Sequence, residues 1–351
     1  MNTSFNPSLE AGARTDHLKC LLVPGEIEDP ELLRRAARLD SLFRSSVASC
    51  PVPCWSHGLV LDREGCNVTE NFLPISAILP AFRRLVKRSL TYPLCRDPFP
   101  GSHTWPDFLT RYAPCAGTAN PASLLRLLMS DGSLRRTWLF ALFLPRAHGG
   151  GFDRYPAQAE YLGEWLARRR TRSGEGISCL DAACGTGEGT WELAEHLSNS
   201  GFRPGGVTIR GSSLEPLELF AAAHAAFPHD PGREREYRLR IRPLVAAGFT
   251  ERMHFVREDL ALPCGSSARH DLILCNGLLG GPLLHEPATM AQVVAGLVRR
   301  LKPGGVLLAA DRFHEGWRKL VPKGKSEALL AGCGMRILEI GEGIGGELPE
   351  T

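Results

Sequence analysis

From Ile177 onward, short apolar runs alternate with stretches of helical periodicity. The runs Ile177–Ala183, Val207–Leu214, Met253–Glu258, Asp271–Cys275, Val306–Ala310 and Arg336–Ile340 read as strands. The clearest helix between them is Ala288–Leu301, with Met290, Val293, Val294, Leu297, Val298 and Leu301 at helical spacing. Lys302-Pro303-Gly304-Gly305 follows as a proline-glycine stop. Apolar strands alternating with helices predict a mostly parallel sheet covered on both faces. In such sheets ligands bind beyond the carboxyl ends of the strands.

The first part of the chain has a different texture, dense in proline and cysteine and poor in long periodic segments. Asp29 and Pro30 open one helix, whose apolar stripe is Leu32, Leu33, Ala36, Leu39 and Phe43. A second is predicted from Pro80 to Leu90, with Phe82, Leu85 and Val86 inward and Arg83, Arg84, Lys87 and Arg88 outward. A third covers Ser123–Met129. After the glycine run 149–151, Pro156 opens a helix ending in Arg168, Arg169, Arg170 and Arg172, read as solvated cations favoured by the helix dipole. The shift in texture predicts two domains: 1–150, mainly helical, and 151–351, α/β and Rossmann-like.

Composition narrows the class. The chain has 351 residues with 43% hydrophobic and 23% charged content, ordinary for a soluble globular protein. A net charge of +3 carries no strong nucleic-acid signal. No uncharged run reaches the roughly 18 residues of a spanning helix, so no membrane insertion is expected. The densest apolar run, Trp138–Leu144, reads as core, and a cytoplasmic setting is expected. Eleven cysteines, an odd number scattered along the chain, are not a disulfide framework. Cys50, Cys54, His57 and Cys66 invite a metal reading, but their spacing is irregular and no second C-x2-C pair exists, so no metal is expected.

The segment with chemical content is Cys179-Leu-Asp-Ala-Ala-Cys-Gly-Thr-Gly-Glu-Gly-Thr190, an apolar strand running through a glycine turn into a helix. Gly185 and Gly187 allow a tight turn and close approach of a ligand to the backbone. A dinucleotide fingerprint wants G-x-G-x-x-G, but the third glycine comes one place early, at Gly189. The lysine of a phosphate P-loop is absent. Asp181, four positions before Gly185, would repel a pyrophosphate and suit a cationic cofactor.

This D-x-x-C-G-T-G run resembles motif I of the class I S-adenosylmethionine (SAM)-dependent methyltransferases, and the likeness extends over residues 176–312. It implies a SAM site built from Asp181, Ala183, Cys184, Gly185, Thr186 and Gly187. Glu215, after the second strand, would hold the ribose hydroxyls, with Ser213 in that slot under an alternative register. Asp259 and Leu260 would meet the adenine, and Asn276, after the fourth strand, would face the transferred methyl. The order Phe152-Asp-Arg154, Ala183–Glu188, Arg252–Leu260, Cys275-Asn276 is most similar to the chemotaxis receptor methyltransferases, which methylate receptor glutamates. That resemblance implies Arg154 and Asn276 as catalytic-site residues.

The chain departs from that family where Gly280 and Gly281 follow Asn276 in place of a tyrosine, and where residues 227–252 leave little room for a receptor-holding β-subdomain. A carboxylate acceptor needs no general base. An amine or hydroxyl does, and His270 and His285 are the candidates near the fourth strand. Cys184 and Cys275 read as core filler. Three functions stay open: a methyltransferase acting on a protein side chain or a small molecule, a non-catalytic SAM-binding module, and an NAD-dependent oxidoreductase.

Overall fold

The computed structural model describes residues 3–49, 69–86, 102–112, 118–144, 151–172, 176–263 and 267–350. Cys50, Cys54, His57 and Cys66, and the helix predicted beyond Val86, lie outside them. Among the described residues no group of three potential metal ligands occurs, and no helix is long and apolar enough to cross a membrane. The chain divides into two compact units, Met1–Arg14 with Gly149–Ala226 and Gly232–Thr351, and Thr15–His148 with Phe227–Pro231.

The larger unit is an α/β sheet. Its strands are β1 (Ser4–Phe5), β2 (Ile177–Ala182), β3 (Val207–Ser213), β4 (Met253–Arg257), β5 (His270–Leu274), β6 (Leu301–Ala309), β7 (Arg336–Leu338) and β8 (Ile344–Glu347). They lie in the order β1-β4-β3-β2-β5-β6-β8-β7. Strands β4-β3-β2-β5-β6 are parallel, whereas β1 joins β4 antiparallel and β8 runs antiparallel between β6 and β7. Without β1 and β8 this is a doubly wound order, with its switch point where β2 meets β5. The core is continuous behind β5, every residue of which is buried. There Leu180, Ile273, Leu307, Met290, Val294, Leu297 and Leu330 share one cluster.

Local chemistry explains where the strands and helices differ from the expected ones. The helix Pro287–Val298 is capped by Glu286, whose carboxylate accepts from the amides of Ala288 and Thr289, and it stops short of Leu301. Lys302-Pro303-Gly304-Gly305 lies inside β6 rather than between elements. There the register against β5 shifts between His270 and Leu272, and Gly304 takes φ +71°. A Cβ at Gly305 would sit 2.8 Å from the Lys302 carbonyl, so the glycine pair makes a bulge that a side chain would block. The arginines of the helix Pro156–Arg172 are not uniformly solvated. Arg169 pairs at 2.6 Å with the buried Asp271, which also holds Lys302 at 2.7 Å, and Arg170 donates to the Ser200 carbonyl.

The smaller unit is helical, with α-helices Pro30–Ser49, Ile75–Phe82, Trp105–Tyr112, Pro121–Ser130 and Gly132–Phe143. The Asp29 carboxylate caps the first by accepting from Glu31 and Leu32. Of its predicted stripe, Leu32, Ala36 and Leu39 are buried, but Leu33 is 54% exposed. The second starts five residues before the expected Pro80, keeps Pro80 inside, and tightens to a 3-10 turn at Arg83–Leu85. Phe82, Trp105, Phe108 and Trp138 form its aromatic core, with Trp105 stacked on Phe108 at 5.3 Å. Buried Arg135 donates to the carbonyls of Leu128, Met129, Val23 and Gly25.

Candidate functional site

The turn after β2 is shaped by left-handed backbone at three alternate positions. Ala183 takes φ +65°, Gly185 +54° and Gly187 +89°. Ala183 is there without the freedom of glycine, which stores strain of the kind found at ligand sites. A Cβ at Gly187 would lie 2.5 Å from the Cβ of Ala222 and 3.0 Å from the Tyr237 hydroxyl, whereas a Cβ at Gly185 would meet nothing within 4 Å. Gly187 is therefore fixed by packing, and Gly185 leaves the loop backbone open. The Cys184 amide donates to the Ser212 carbonyl at 2.8 Å, which ties the turn to the end of β3.

Asp181, the last residue but one of this strand, is buried, 4% exposed. It accepts a 2.6 Å hydrogen bond from the Thr190 hydroxyl and makes no ion pair among the described residues. Burial pushes its carboxyl up to about 7, against the Thr190 hydrogen bond and with help from Glu192 and Glu188. Glu188, also buried, is matched: Arg233 pairs with it at 2.5 Å. Arg233 also donates to the Thr186 hydroxyl at 2.7 Å, which in turn donates to Glu188 at 2.6 Å. Tyr237 donates to the Thr186 carbonyl at 2.7 Å. The helix Pro231–Ala246 thus clamps the glycine loop from the side. Its signal lay in the spacing: Arg233, Tyr237, Ile241 and Leu244 form a stripe in a charge-rich segment that contains no strand.

The remaining expected residues lie around the same edge. Ser213, not Glu215, is the last residue of β3; Glu215 is the cap position of the helix Pro216–His224 and is buried. The Ser213 hydroxyl donates to Glu218 at 2.7 Å and accepts from the Glu215 amide. Beside it the Ser212 hydroxyl is buried and has no hydrogen-bond partner among the described residues. Asp259 caps its own turn, accepting from the Ala261 amide, and Leu260 packs on the core cluster.

Asn276, at the end of β5, is engaged by protein. Its amide and that of Gln158 pair at 3.1 and 2.8 Å, and its oxygen also accepts from the Ala310 amide at 2.8 Å. Arg154 lies 5.4 Å over the Tyr155 ring, two residues before the helix that carries Gln158. Of the two histidines, His270 begins β5, at the strand end opposite the glycine loop, and burial lowers it to about 4. His285 packs against Trp317 after β5. Burial pushes the thiols of Cys184 and Cys275 upward, the second to about 12, so both stay protonated core groups.

No protein-family model matches the chain, and no curated protein matches it. Among solved structures it is similar to a magnesium protoporphyrin IX methyltransferase from Synechocystis with bound SAM, at 14% identity over 58% of this chain and 88% of that one, TM-score 0.35. It is likewise similar to a sugar N-methyltransferase from Streptoalloteichus, at 18% identity over 56% and 89%, TM-score 0.36. A third is an N-methyltransferase from Bradyrhizobium japonicum, at 15% identity over 57% and 100%, TM-score 0.35. Likeness of this degree fixes neither the reaction nor the acceptor.

Proposed function

We propose that the turn after β2 binds S-adenosylmethionine and that the chain is a SAM-dependent methyltransferase acting on a small molecule or a protein side chain. The observation that carries this reading is Asp181, a buried carboxylate with no cation beside it among the described residues, at the switch point of a doubly wound sheet and next to an open glycine backbone. A cation brought to Asp181 would restore its charge and recover the cost of burying it. A pyrophosphate there would add to that cost, which counts against a dinucleotide.

The residues present fit SAM. Asp181 and the backbone of Ala183–Gly187 would hold its amino acid end, and Ser212, Ser213 and Glu215 its ribose, the last carboxylate lying past the strand end. Asp259 and Leu260 would border the adenine. When bound, SAM supplies a methyl group already made electrophilic by its sulfonium. The protein's work is then orientation and exclusion of water. The clamp of Arg233 and Tyr237 holds the loop, and the Asn276–Gln158 pair holds the helix start at the end of β5.

The engagement of Asn276 by Gln158 and Ala310 favours a positioning role over contact with a reacting group. It also supports a second reading, a module that binds SAM without turnover. A receptor-glutamate acceptor has less support: residues 227–252 carry the helix Pro231–Ala246 and no strand. In this reading the helical unit selects the acceptor.

The test is calorimetric titration of SAM into the wild type, followed by incubation with methyl-labelled SAM and host lysate. Base-labile label on protein would point to a carboxyl ester, and stable label on protein or label in the small-molecule fraction to another acceptor. Binding without transfer would select the non-catalytic module. Failure to bind would sink the proposal.

A further inference from the structure

We propose that the cavity at the carboxyl ends of β5 and β6 is the acceptor half of the site and takes a small zwitterion, a molecule with one cationic and one anionic group and no net charge. The inference rests on the methyltransferase reading and adds the acceptor's chemical class.

The cavity measures about 390 Å³, and Cys275, Leu279, Ala309, Phe313, Val321 and Ile344 are among its walls. That volume suits a small molecule and not a folded surface. Its place suits methyl transfer. Cys275 precedes Asn276, and Ala310, which also lines the cavity, donates its amide to the Asn276 oxygen at 2.8 Å. The walls have two sources. One is the sheet, through the ends of β5 and β6 and residues 341–344 leading into β8. The other is the pair of short helices Glu315–Leu320 and Lys323–Gly332.

Four charged side chains line the cavity, and their signs are sorted by wall. Asp311, after β6, and Glu342, before β8, stand on the sheet side; Arg318 and Lys323 stand on the helix side. The lining therefore carries two charges of each sign, and the partners just outside it, Arg312 at Glu342 and Glu327 at Lys323, also cancel. No net charge is left to select an anion or a cation. What remains is a polarity across the cavity, negative at the sheet and positive at the helices, and a zwitterion matches it with both of its groups. The protein's own pairs leave these charges available: Arg318–Asp311 stands at 3.6 Å, Arg312–Glu342 at 3.8 Å and Lys323–Glu327 at 3.6 Å, all beyond hydrogen-bond length. Long, partly exposed pairs hold little energy and exchange readily for a bound group of the right sign. Asp311 is meanwhile held in place, its carboxylate accepting from the Phe313 amide at 3.1 Å.

Ser326 is an independent pointer to a ligand. It lines the cavity, is only 8% exposed, and makes no side-chain hydrogen bond among the described residues. Buried hydroxyls in folded proteins keep a partner, so this one is open to a polar atom of the acceptor. Leu279, Phe313, Val321 and Ile344 give the acceptor's body an apolar surface. In the transfer, the acceptor's lone pair bonds the methyl carbon as the carbon–sulfur bond breaks and leaves its electron pair on sulfur. Any proton that the nucleophile carries is lost to water.

The experiment sorts a host small-molecule extract by charge before any reaction. Molecules that pass both an anion and a cation exchanger at about pH 7, but are retained by the cation exchanger at about pH 2, where their carboxylates are protonated, form the zwitterion pool. Those retained at about pH 7 form the anion and cation pools, and those never retained form the neutral pool. Each pool is incubated with methyl-labelled SAM and with wild type, Glu342→Gln or Lys323→Gln protein. Transfer from the zwitterion pool is expected to exceed that from each other pool at least tenfold. Each substitution removes one sign from one wall. It should raise the amount of zwitterion pool needed for half-saturation at least fivefold and leave the plateau and, by calorimetry, the SAM affinity within twofold. Transfer chiefly from another pool or to protein, wild-type half-saturation in either variant, or SAM binding with no transfer from any pool would each overturn the proposal, and the comparison of pools needs no variant to fold. A wild type that does not bind SAM would instead sink the methyltransferase reading.

Discussion

Replacing Asp181 by asparagine should make the protein more stable and less able to bind its cofactor, and the two effects should separate by pH. The carboxyl rises from 3.8 to about 7 on folding, chiefly by burial. The folded state therefore holds its proton where the unfolded state has lost it, so stability falls as pH rises from about 4 to about 7. Above pH 7 the full shift corresponds to roughly 4 kcal/mol of destabilisation, and at pH 5 to about 1.5. Asparagine keeps an acceptor for the Thr190 hydroxyl and carries no charge. Its stability relative to wild type should accordingly grow by about 2.5 kcal/mol between pH 5 and pH 8. Urea denaturation of both proteins without ligand at those two pH values measures this directly. The difference of differences cancels the titration of every group that the substitution does not touch. In the same preparations SAM affinity should fall at least a hundredfold in Asp181→Asn, and wild-type binding should weaken as pH drops below 7. A stability difference that stays constant with pH, or unchanged SAM binding by the variant, would refute the reasoning that a buried, unmatched carboxylate waits for a cation.

Other parts of the structure make independent predictions. Gly187→Ala should cost more than about 2 kcal/mol and abolish SAM binding, because the new Cβ would clash with Ala222 at φ +89°; Gly185→Ala should cost only about 1 kcal/mol, and melting curves distinguish them. Arg233→Met should destabilise by about 3 kcal/mol by leaving Glu188 buried without its cation, and adding Glu188→Gln should recover much of that in a double-mutant cycle. In the helical unit, Arg135→Met should take the guanidinium from four carbonyls, of which that of Met129 keeps the Ile27 amide, and cost at least about 3 kcal/mol in chemical denaturation.

Much of the α/β unit was readable from its strands: β2 and β5 are buried along nearly their whole length, while β3 and β4 begin with buried positions alternating with less buried ones. The runs predicted from 177, 207, 253 and 271 end within a residue or so of the observed strands. What escaped was set by contacts rather than by pattern. Nothing local distinguishes Lys302-Pro303-Gly304-Gly305 as a bulge from the same residues as a helix stop; the difference is the carbonyl of His270, 3.1 Å from where a Gly305 side chain would begin. Strand β8, an Ile-Gly-Gly-Glu segment, has too little apolar character to announce itself and is held by pairing on both sides. Likewise Arg169 looks from the sequence like one more terminal cation, until the fold brings it to a buried aspartate about a hundred residues later.

The site divides along the same line, and the division bears on function. The glycine loop is local, so its residues and the carboxylate near the strand end could be named from spacing alone. The groups that give the loop its electrostatic character come from elsewhere in the chain. Three carboxylates gather there: Glu188, Glu192 and Asp181. Glu188 is neutralised by Arg233 from another helix. Glu192 accepts from the Asp153 amide, on the segment that precedes the sheet. Asp181 receives a hydroxyl and, among the described residues, no cation. A fold that carries Arg233 to within 2.5 Å of one buried carboxylate and leaves its neighbour without an ion pair treats the two differently. Glu188 serves the loop's own shape, and its charge is settled inside the protein. Asp181 carries an unbalanced cost in the free protein, which is the expected signature of a residue whose counter-charge arrives with a ligand.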